Sequence, residues 1–316
     1  MDSVHPIRIV ARRTGMSPHL IRMWERRYTA IKPDRTSTGR RLYSEDDIER
    51  LILLRRATLA GESIGQIANL DRKQLLELIP REEAARDSET GVSSSASAEH
   101  RLAQCLQAMK NLDAVTLETR LLRASVSLGQ RAFLEKLLHP LLELTGDMWS
   151  DGRLKVAHEH LAAAVIRSLL GSMYLSDTAD LSAPLIISTT PTGQLHEFGA
   201  LMASVTAATS GWRTLYLGPN LPAEDIVETA RERRAGAIAL SVVYPVDDPR
   251  LTREFRRIHE TKPAGVTLLV GGRAAHAYDR VLTEIGATRI GGLDDLRKEL
   301  VRLKKLTTSA LLLPEN

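Results

Sequence analysis

Pro184-Leu185-Ile186-Ile187-Ser188, followed after a short interval by Gln194-Leu195-His196-Glu197-Phe198-Gly199, decides the reading of this chain. The first segment is a continuous apolar run of strand length, the signature of a strand buried on both faces. The second is a loop carrying one histidine that then opens a helix. Together they place an imidazole at the carboxyl edge of a sheet, where open α/β sheets bind their ligands. Working outward, strand-like segments recur at 184–189, 212–217, 236–243, 266–270 and, more weakly, 287–290, with helical segments between them. That alternation predicts a doubly wound parallel sheet over residues 181–316. No G-x-G-x-x-G follows the first strand, so a dinucleotide-binding site of the usual kind is not expected.

Upstream the periodicity changes. Leu102, Leu106 and Met109, then Leu117, Leu121 and Val126, then Leu134, Leu137, Leu138 and Leu141, then Leu161, Val165, Leu169 and Met173 recur at helical spacing. Asp113 and Gly129 punctuate the joins, which predicts a four-helix bundle over residues 99–180. Residues 80–98, with Ser93-Ser94-Ser95-Ala96-Ser97 and almost no large apolar side chain, read as a flexible linker.

The N-terminal 79 residues form a third region. Residues 1–43 hold ten Lys/Arg against three Asp/Glu, a net of +7, whereas the whole chain is only +4. A basic lobe on a slightly acidic remainder is an electrostatic footprint for phosphate. Ile7 to Arg13 reads as a short helix, Gly15 supplies a turn, and Ser17 caps a second helix that has Pro18 at its first position. This is helix-turn-helix spacing. Ile9, Val10, Leu20, Ile21 and Trp24 supply its core. Arg35 to Tyr43 can fold as a hairpin wing, and Ser44 caps a further helix from Glu45 to about Ala60.

Composition narrows the class. No apolar run approaches the roughly 20 residues that span a bilayer, and Met1-Asp2-Ser3-Val4-His5-Pro6 lacks the pattern of a signal peptide. Cys105 is the single cysteine, so no intrachain disulfide forms and a reducing, cytoplasmic setting is expected. With no electropositive neighbourhood, it reads as a helix core residue rather than a nucleophile.

Val10-Ala11 and Gly15 through Tyr28, including Trp24-Glu25-Arg26-Arg27, followed by Gly39-Arg40-Arg41-Leu42-Tyr43-Ser44, resemble the winged-helix DNA-binding domain of MerR-family regulators over residues 5–75. The resemblance implies binding to a double-stranded DNA operator, with Ser17, His19, Arg22, Arg40, Arg41 and Tyr43 as contacts. Many relatives of that family sense effectors through cysteines after a long helix; this chain has none there, which excludes a thiolate metal sensor.

Trp149-Ser150-Asp151-Gly152 leads to His158-Glu159-His160. The two histidines lie about 200° apart around a helix axis and cannot share one ion. On the residues alone this is a capped helix start beside a tryptophan. Trp149, nine intervening residues and then Glu159-His160 nevertheless resemble the signature of light-sensing, cobalamin-binding MerR regulators of the CarA/CarH type. The resemblance implies that Trp149 and Glu159 crowd the adenosyl ligand of adenosylcobalamin and that His160 takes the cobalt after that ligand leaves. In the sheet region, Gln194, His196 and Gly199 stand where the cobalamin-binding motif has an acidic residue, His and Gly. Ser241 stands at its serine, and Gly271-Gly272 at its glycine pair. His196 is then the lower cobalt ligand, and Ser241 and the glycines receive the displaced nucleotide tail. Gln194 departs from the pattern, because an amide orients an imidazole without adding charge.

The function expected from these resemblances is a light-responsive repressor and photoreceptor. It forms a homotetramer with adenosylcobalamin in the dark and leaves its operator in the light. It is not an enzyme, since cobalamin mutases need a substrate barrel that no segment here supplies. The alternatives are a cofactor-independent regulator whose sheet domain binds protein, and a regulator that uses the same cleft for another chromophore.

Overall fold

The computed structural model describes residues 4–37, 39–79, 94–174 and 182–310. The chain divides into two compact units, residues 1–176 and 177–316.

The first unit begins with α1 (Ile7–Thr14) and α2 (Pro18–Tyr28). Gly15 turns between them with φ 66°, a conformation that costs a residue without a Cβ little. The Ser17 hydroxyl accepts the Leu20 N–H at 3.2 Å, which caps α2 as its sequence predicts. Strands β1 (Asp34–Arg35) and β2 (Arg41–Leu42) pair antiparallel as the wing. Next come α3 (Glu45–Ala60), α4 (Ile64–Ile67) and α5 (Arg72–Glu77). A capping box joins Ser44 and Asp47 at the start of α3. Val10, Leu20, Ile21, Trp24, Leu51 and Leu54 are buried and form the shared core.

The helical region comprises α6 (Ser94–Lys110), α7 (Ala114–Phe133), a π-helical turn at Leu134–Leu138, α8 (His139–Ser150) and α9 (Val156–Tyr174). Asp113 caps α7 by accepting the Thr116 N–H at 2.9 Å. Gly129, with φ 72° and ψ 160°, breaks α7, so the four expected helical segments are present. The linker expectation changes at one end. Residues 80–93 lie outside the described residues, but 94–98 form the first turn of α6. Nor do the described residues of the DNA module stand apart, because α2 packs against α9 and α3 against α7.

The second unit is built on five parallel strands: β3 (Leu185–Thr189), β4 (Arg213–Tyr216), β5 (Ala237–Ser241), β6 (Thr267–Gly271) and β7 (Thr288–Ile290). Their spatial order is β4-β3-β5-β6-β7. Helices α10 (Phe198–Thr209) and α14 (Leu293–Ala310) cover one face. Helices α11 (Ala223–Glu232), α12 (Pro249–Thr261) and α13 (Asp279–Glu284) cover the other. The chain leaves β3 toward β4 and later returns to β5 on the opposite flank. The topological switch point therefore lies at the carboxyl ends of β3 and β5.

Candidate cofactor cleft and nucleic-acid interface

The two faces of the sheet differ in chemistry. Leu185, Ile187, Ile238, Leu240 and Val242 point into an aliphatic core with Phe255 and Ile258. The alternate positions, Ile186, Ala237 and Ala239, face Ala203 and Ala207 of α10. Toward the carboxyl end this second face turns polar: Ser188 and Ser241 continue its two strand alternations. Both hydroxyls are buried without a hydrogen-bond partner, as is that of Thr206 on α10. Gly199 opens α10 directly against Ser241: a Cβ there would stand 3.2 Å from the Ser241 Cβ and well inside contact distance of its Oγ. Gly272, at φ 101°, lies equally close to the backbone of Val242. Small residues thus let α10 and the β6 turn approach a pair of unsatisfied hydroxyls.

Above this strip, the β3–α10 loop is firmly held. Asn220 donates its N–H to the Thr190 hydroxyl at 2.8 Å and accepts the Gly193 N–H at 2.7 Å. The Gln194 Oε1 accepts the backbone N–H groups of Val243 (2.8 Å) and Tyr244 (3.2 Å), which ties the β3 and β5 loops together at the switch point. Glu197 is buried and accepts the Tyr216 hydroxyl. On this latched loop His196 is exposed, with Leu195 (68%), Tyr244 (67%) and Val246 (52%) as exposed apolar side chains on the two loops. The two loops thus carry one exposed imidazole and three exposed apolar side chains at the sheet edge that also holds the orphaned hydroxyls. The second unit therefore brings Gln194, His196, Gly199, Ser241, Gly271 and Gly272 to one sheet edge. Sequence reasoning missed Ser188, Asn220 and Tyr216. A serine inside a wholly buried strand was the one available signal.

In the bundle, Trp149 is half exposed at the end of α8. The His158 Nδ1 accepts the Lys155 N–H at 3.0 Å, so this imidazole caps α9. The His160 Nε2 lies 3.5 Å from Glu159 Oε2 on the surface. Among the described residues, no group of three His, Cys, Asp or Glu side chains could hold a metal. Cys105 is buried, and burial pushes its thiol up to about 11, which makes it an inert core residue.

The residues that the sequence offers as DNA contacts differ in their placement. Ser17 is spent on its cap and Arg40 is exposed. His19 is only 3% exposed, with its Nδ1 2.9 Å from the carbonyl of Met173. Arg22 is buried beside it on α2. The Arg41 Nε donates to both carboxylate oxygens of Glu25 on α2, at 2.7 and 3.0 Å. Tyr43 is fully buried, and burial foremost pushes its phenol up to about 12. Arg41 thus ties the wing to α2, and Tyr43 lies in the core of this unit. Along Arg40-Arg41-Leu42-Tyr43 exposure falls from the exposed Arg40, through the half-buried Arg41 and Leu42, to the buried Tyr43.

A helix-turn-helix with a wing, joined to a helical bundle and a parallel sheet with polar groups at its switch point, is the architecture of a DNA-binding regulator with an appended ligand-binding type of domain. Residues 6–74 match the MerR helix-turn-helix regulatory protein family, and residues 98–173 and 184–296 match two B12 binding domain families. The chain is 30% identical to the HTH-type transcriptional repressor CarH of Myxococcus xanthus over 93% of its own length and 97% of the relative's. It is likewise 30% identical to the repressor CarA of that organism, over 89% and 91%. It belongs to this family of MerR-type regulators with B12-binding domains. Solved structures similar to it include the monomethylamine corrinoid protein of Methanosarcina barkeri (17% identity, 65% of this chain and 99% of that one, TM-score 0.49). Another is a cobalamin-binding protein from Desulfitobacterium hafniense (19% identity, 64% and 98%, TM-score 0.34). Among the described residues no helix is long and apolar enough to cross a membrane.

Proposed function

We propose that this chain is a DNA-binding transcriptional repressor that takes adenosylcobalamin as its effector and light as its signal. The observation that carries the reading is the pair of buried hydroxyls, Ser188 and Ser241, left without partners beside Gly199 at the switch point. Buried polar groups of this kind are normally satisfied, and a cofactor tail entering between α10 and the sheet supplies what they lack. Bound adenosylcobalamin supplies a cobalt–carbon bond that light cleaves.

The remaining work falls to the protein's own residues. His196 would offer its imidazole to the corrinoid, Leu195, Tyr244 and Val246 would cover apolar surface, and Gly271-Gly272 would let the backbone come close. By the resemblance, Trp149 and Glu159 would shield the adenosyl ligand from water, and His160 would be a candidate nitrogen ligand. In the dark the loaded chain assembles as a homotetramer. Several basic modules on one assembly raise the effective concentration at an operator and hence its affinity. Illumination disperses the assembly and frees the DNA.

The test is a spectral titration of the purified chain with adenosylcobalamin in the dark, followed by gel filtration before and after illumination. Dark binding at micromolar cofactor with a large species that shrinks in light is the expected result. A colourless protein whose size ignores both cofactor and light sinks the proposal in favour of a cofactor-independent regulator.

A further inference from the structure

The turn between β3 and α10 is built around one hydroxyl. Thr190, at the carboxyl end of β3, is fully buried. Its Oγ1 donates to the carbonyl of Gln194 and accepts the N–H of Asn220 at 2.8 Å, so the hydroxyl is used as donor and as acceptor. Its backbone carbonyl accepts the Leu221 N–H at 3.0 Å. The turn itself, Pro191-Thr192-Gly193-Gln194, is closed by the Gln194 N–H on the Pro191 carbonyl at 3.0 Å. Gly193, with φ 85°, takes the third position, which a turn with positive φ there gives to glycine. From outside, the Asn220 side chain accepts the Gly193 N–H at 2.7 Å, on a residue that itself has φ 64°.

The turn delivers a short exposed span. Gln194 and Glu197 are 1% and 7% exposed, and between them Leu195 and His196 stand exposed. Gln194 is held at its carbonyl by Thr190 and at its amide oxygen by the N–H groups of Val243 and Tyr244. Glu197 is held by the Tyr216 hydroxyl, and its carbonyl accepts the Leu201 N–H at 3.0 Å as α10 begins. Two exposed residues thus bridge two buried, anchored ends. A span ordered before its ligand arrives spares the ordering cost at binding.

We propose that Thr190 is a positioning residue: its hydroxyl sets the backbone that presents Leu195 and His196 at the sheet edge, and so governs how tightly a corrinoid is held there. This rests on the cobalamin reading above and adds to it a residue that acts from inside the protein. Valine at 190 keeps nearly the same shape but strands the Asn220 N–H and the Gln194 carbonyl, whereas serine keeps the hydroxyl.

The experiment compares the full native chain with Thr190→Val, Thr190→Ser and Asn220→Gly. Amide hydrogen exchange of the cofactor-free proteins follows residues 191–197 and 218–221, with β5 and β6 as internal references. Dark spectral titration with adenosylcobalamin measures affinity. Thr190→Val is expected to exchange about tenfold faster in both segments, with β5 and β6 unchanged, and to bind about tenfold more weakly. Thr190→Ser is expected to restore both to within about threefold of the native chain. Asn220→Gly keeps the left-handed backbone and alters only an exposed residue. It should free the Gly193 amide and weaken binding about threefold, and it carries the test alone if the valine variant does not fold. Native exchange in the loosened variants overturns the inference, and so does serine as damaging as valine. A loosened turn that binds adenosylcobalamin with native affinity also overturns it and leaves the cobalamin reading standing. A native chain that takes up no adenosylcobalamin removes the cobalamin reading and this role for Thr190 together.

Discussion

The Nδ1 of His19, the first residue of α2 expected to contact DNA, lies 2.9 Å from the carbonyl of Met173 in the last turn of α9. That nitrogen donates to one of the orphan carbonyls with which a helix ends, so the residue expected to face a groove is engaged inside the first unit. Two further links hold the same arrangement away from the reading face: Arg27 with Glu118 of α7, and Arg123 with the carbonyl of Gly61 at the end of α3. DNA binding through His19 and Arg22 requires these bonds to be exchanged. Glu118→Ala and Arg123→Ala, which alter no predicted DNA contact, should therefore tighten operator binding by the cofactor-free chain. Partly exposed links of this kind contribute about 1 kcal/mol or less each, a factor of about fivefold in affinity. Mobility shift at fixed salt measures it, and equal or weaker binding by both variants contradicts a closed resting form.

Much of this was legible in the sequence, because the signals were local. The run Leu185-Ile186-Ile187 with its Ser188 end, the cap at Ser17 and the breaks at Asp113 and Gly129 each express a short-range preference, and each stands close to its expected place. What was not legible depends on contacts distant in the chain. Nothing in Gln194 announces that its oxygen meets the N–H groups of Val243 and Tyr244, since that bond exists only once β3 and β5 lie side by side. The burial of His19 likewise depends on α9, which follows it by more than a hundred residues. The resemblance also gave Arg40 and Arg41 the same role, although Arg40 is exposed and Arg41 is paired with Glu25 of α2.

Glycine at 199 and 272 is required for different reasons, and the two should respond differently. At Gly199 an alanine Cβ meets the Ser241 side chain, a flexible hydroxymethyl. The expected cost is about 1–3 kcal/mol, with part of it recovered in the Gly199→Ala, Ser241→Ala double variant. At Gly272 the Cβ meets the backbone nitrogen of Val242 at 2.9 Å, its carbonyl oxygen is nearer still, and φ is 101°. Gly272→Ala should therefore destabilise more, with no rescue from Ser241→Ala. Thermal unfolding of the native chain, the three single variants and the two double variants with Ser241→Ala separates the cases; equal losses at both sites, or no coupling at 199, contradict the geometry.

Glu45 gives the first unit an acid-sensitive contact. Its carboxylate bonds Arg13 at 2.6 and 2.7 Å and His5 at 2.6 Å. The Arg13 hydrogen bond foremost lowers it from 4.5 to about 2. A carboxyl depressed in the folded state contributes stability above its unfolded value, and that stability is lost as pH falls toward the folded one. The native chain should lose stability more steeply than Glu45→Gln between about pH 4.5 and 2, while the two run parallel above that window. Denaturant midpoints across this range test the slope, and identical slopes dispose of the contact.

Arg40 and Arg41 are adjacent, and their alanine variants should fail in opposite ways. Arg40 is exposed beyond the wing strand β2. Its loss should leave unfolding unchanged, weaken binding evenly across DNA sequences and reduce the salt slope of log affinity by about one, the signature of one phosphate contact. The Arg41 side chain is 7% exposed against a Glu25 side chain that is 13% exposed. Removing it strands a nearly buried carboxylate, at a cost of about 3–5 kcal/mol. Arg41→Ala should therefore melt the wing first and lose DNA affinity only as a consequence, with its salt slope kept wherever the protein remains folded. Melting curves beside salt titrations of DNA affinity distinguish the two roles. An Arg41→Ala protein of native stability and reduced salt slope would restore Arg41 as a direct phosphate contact.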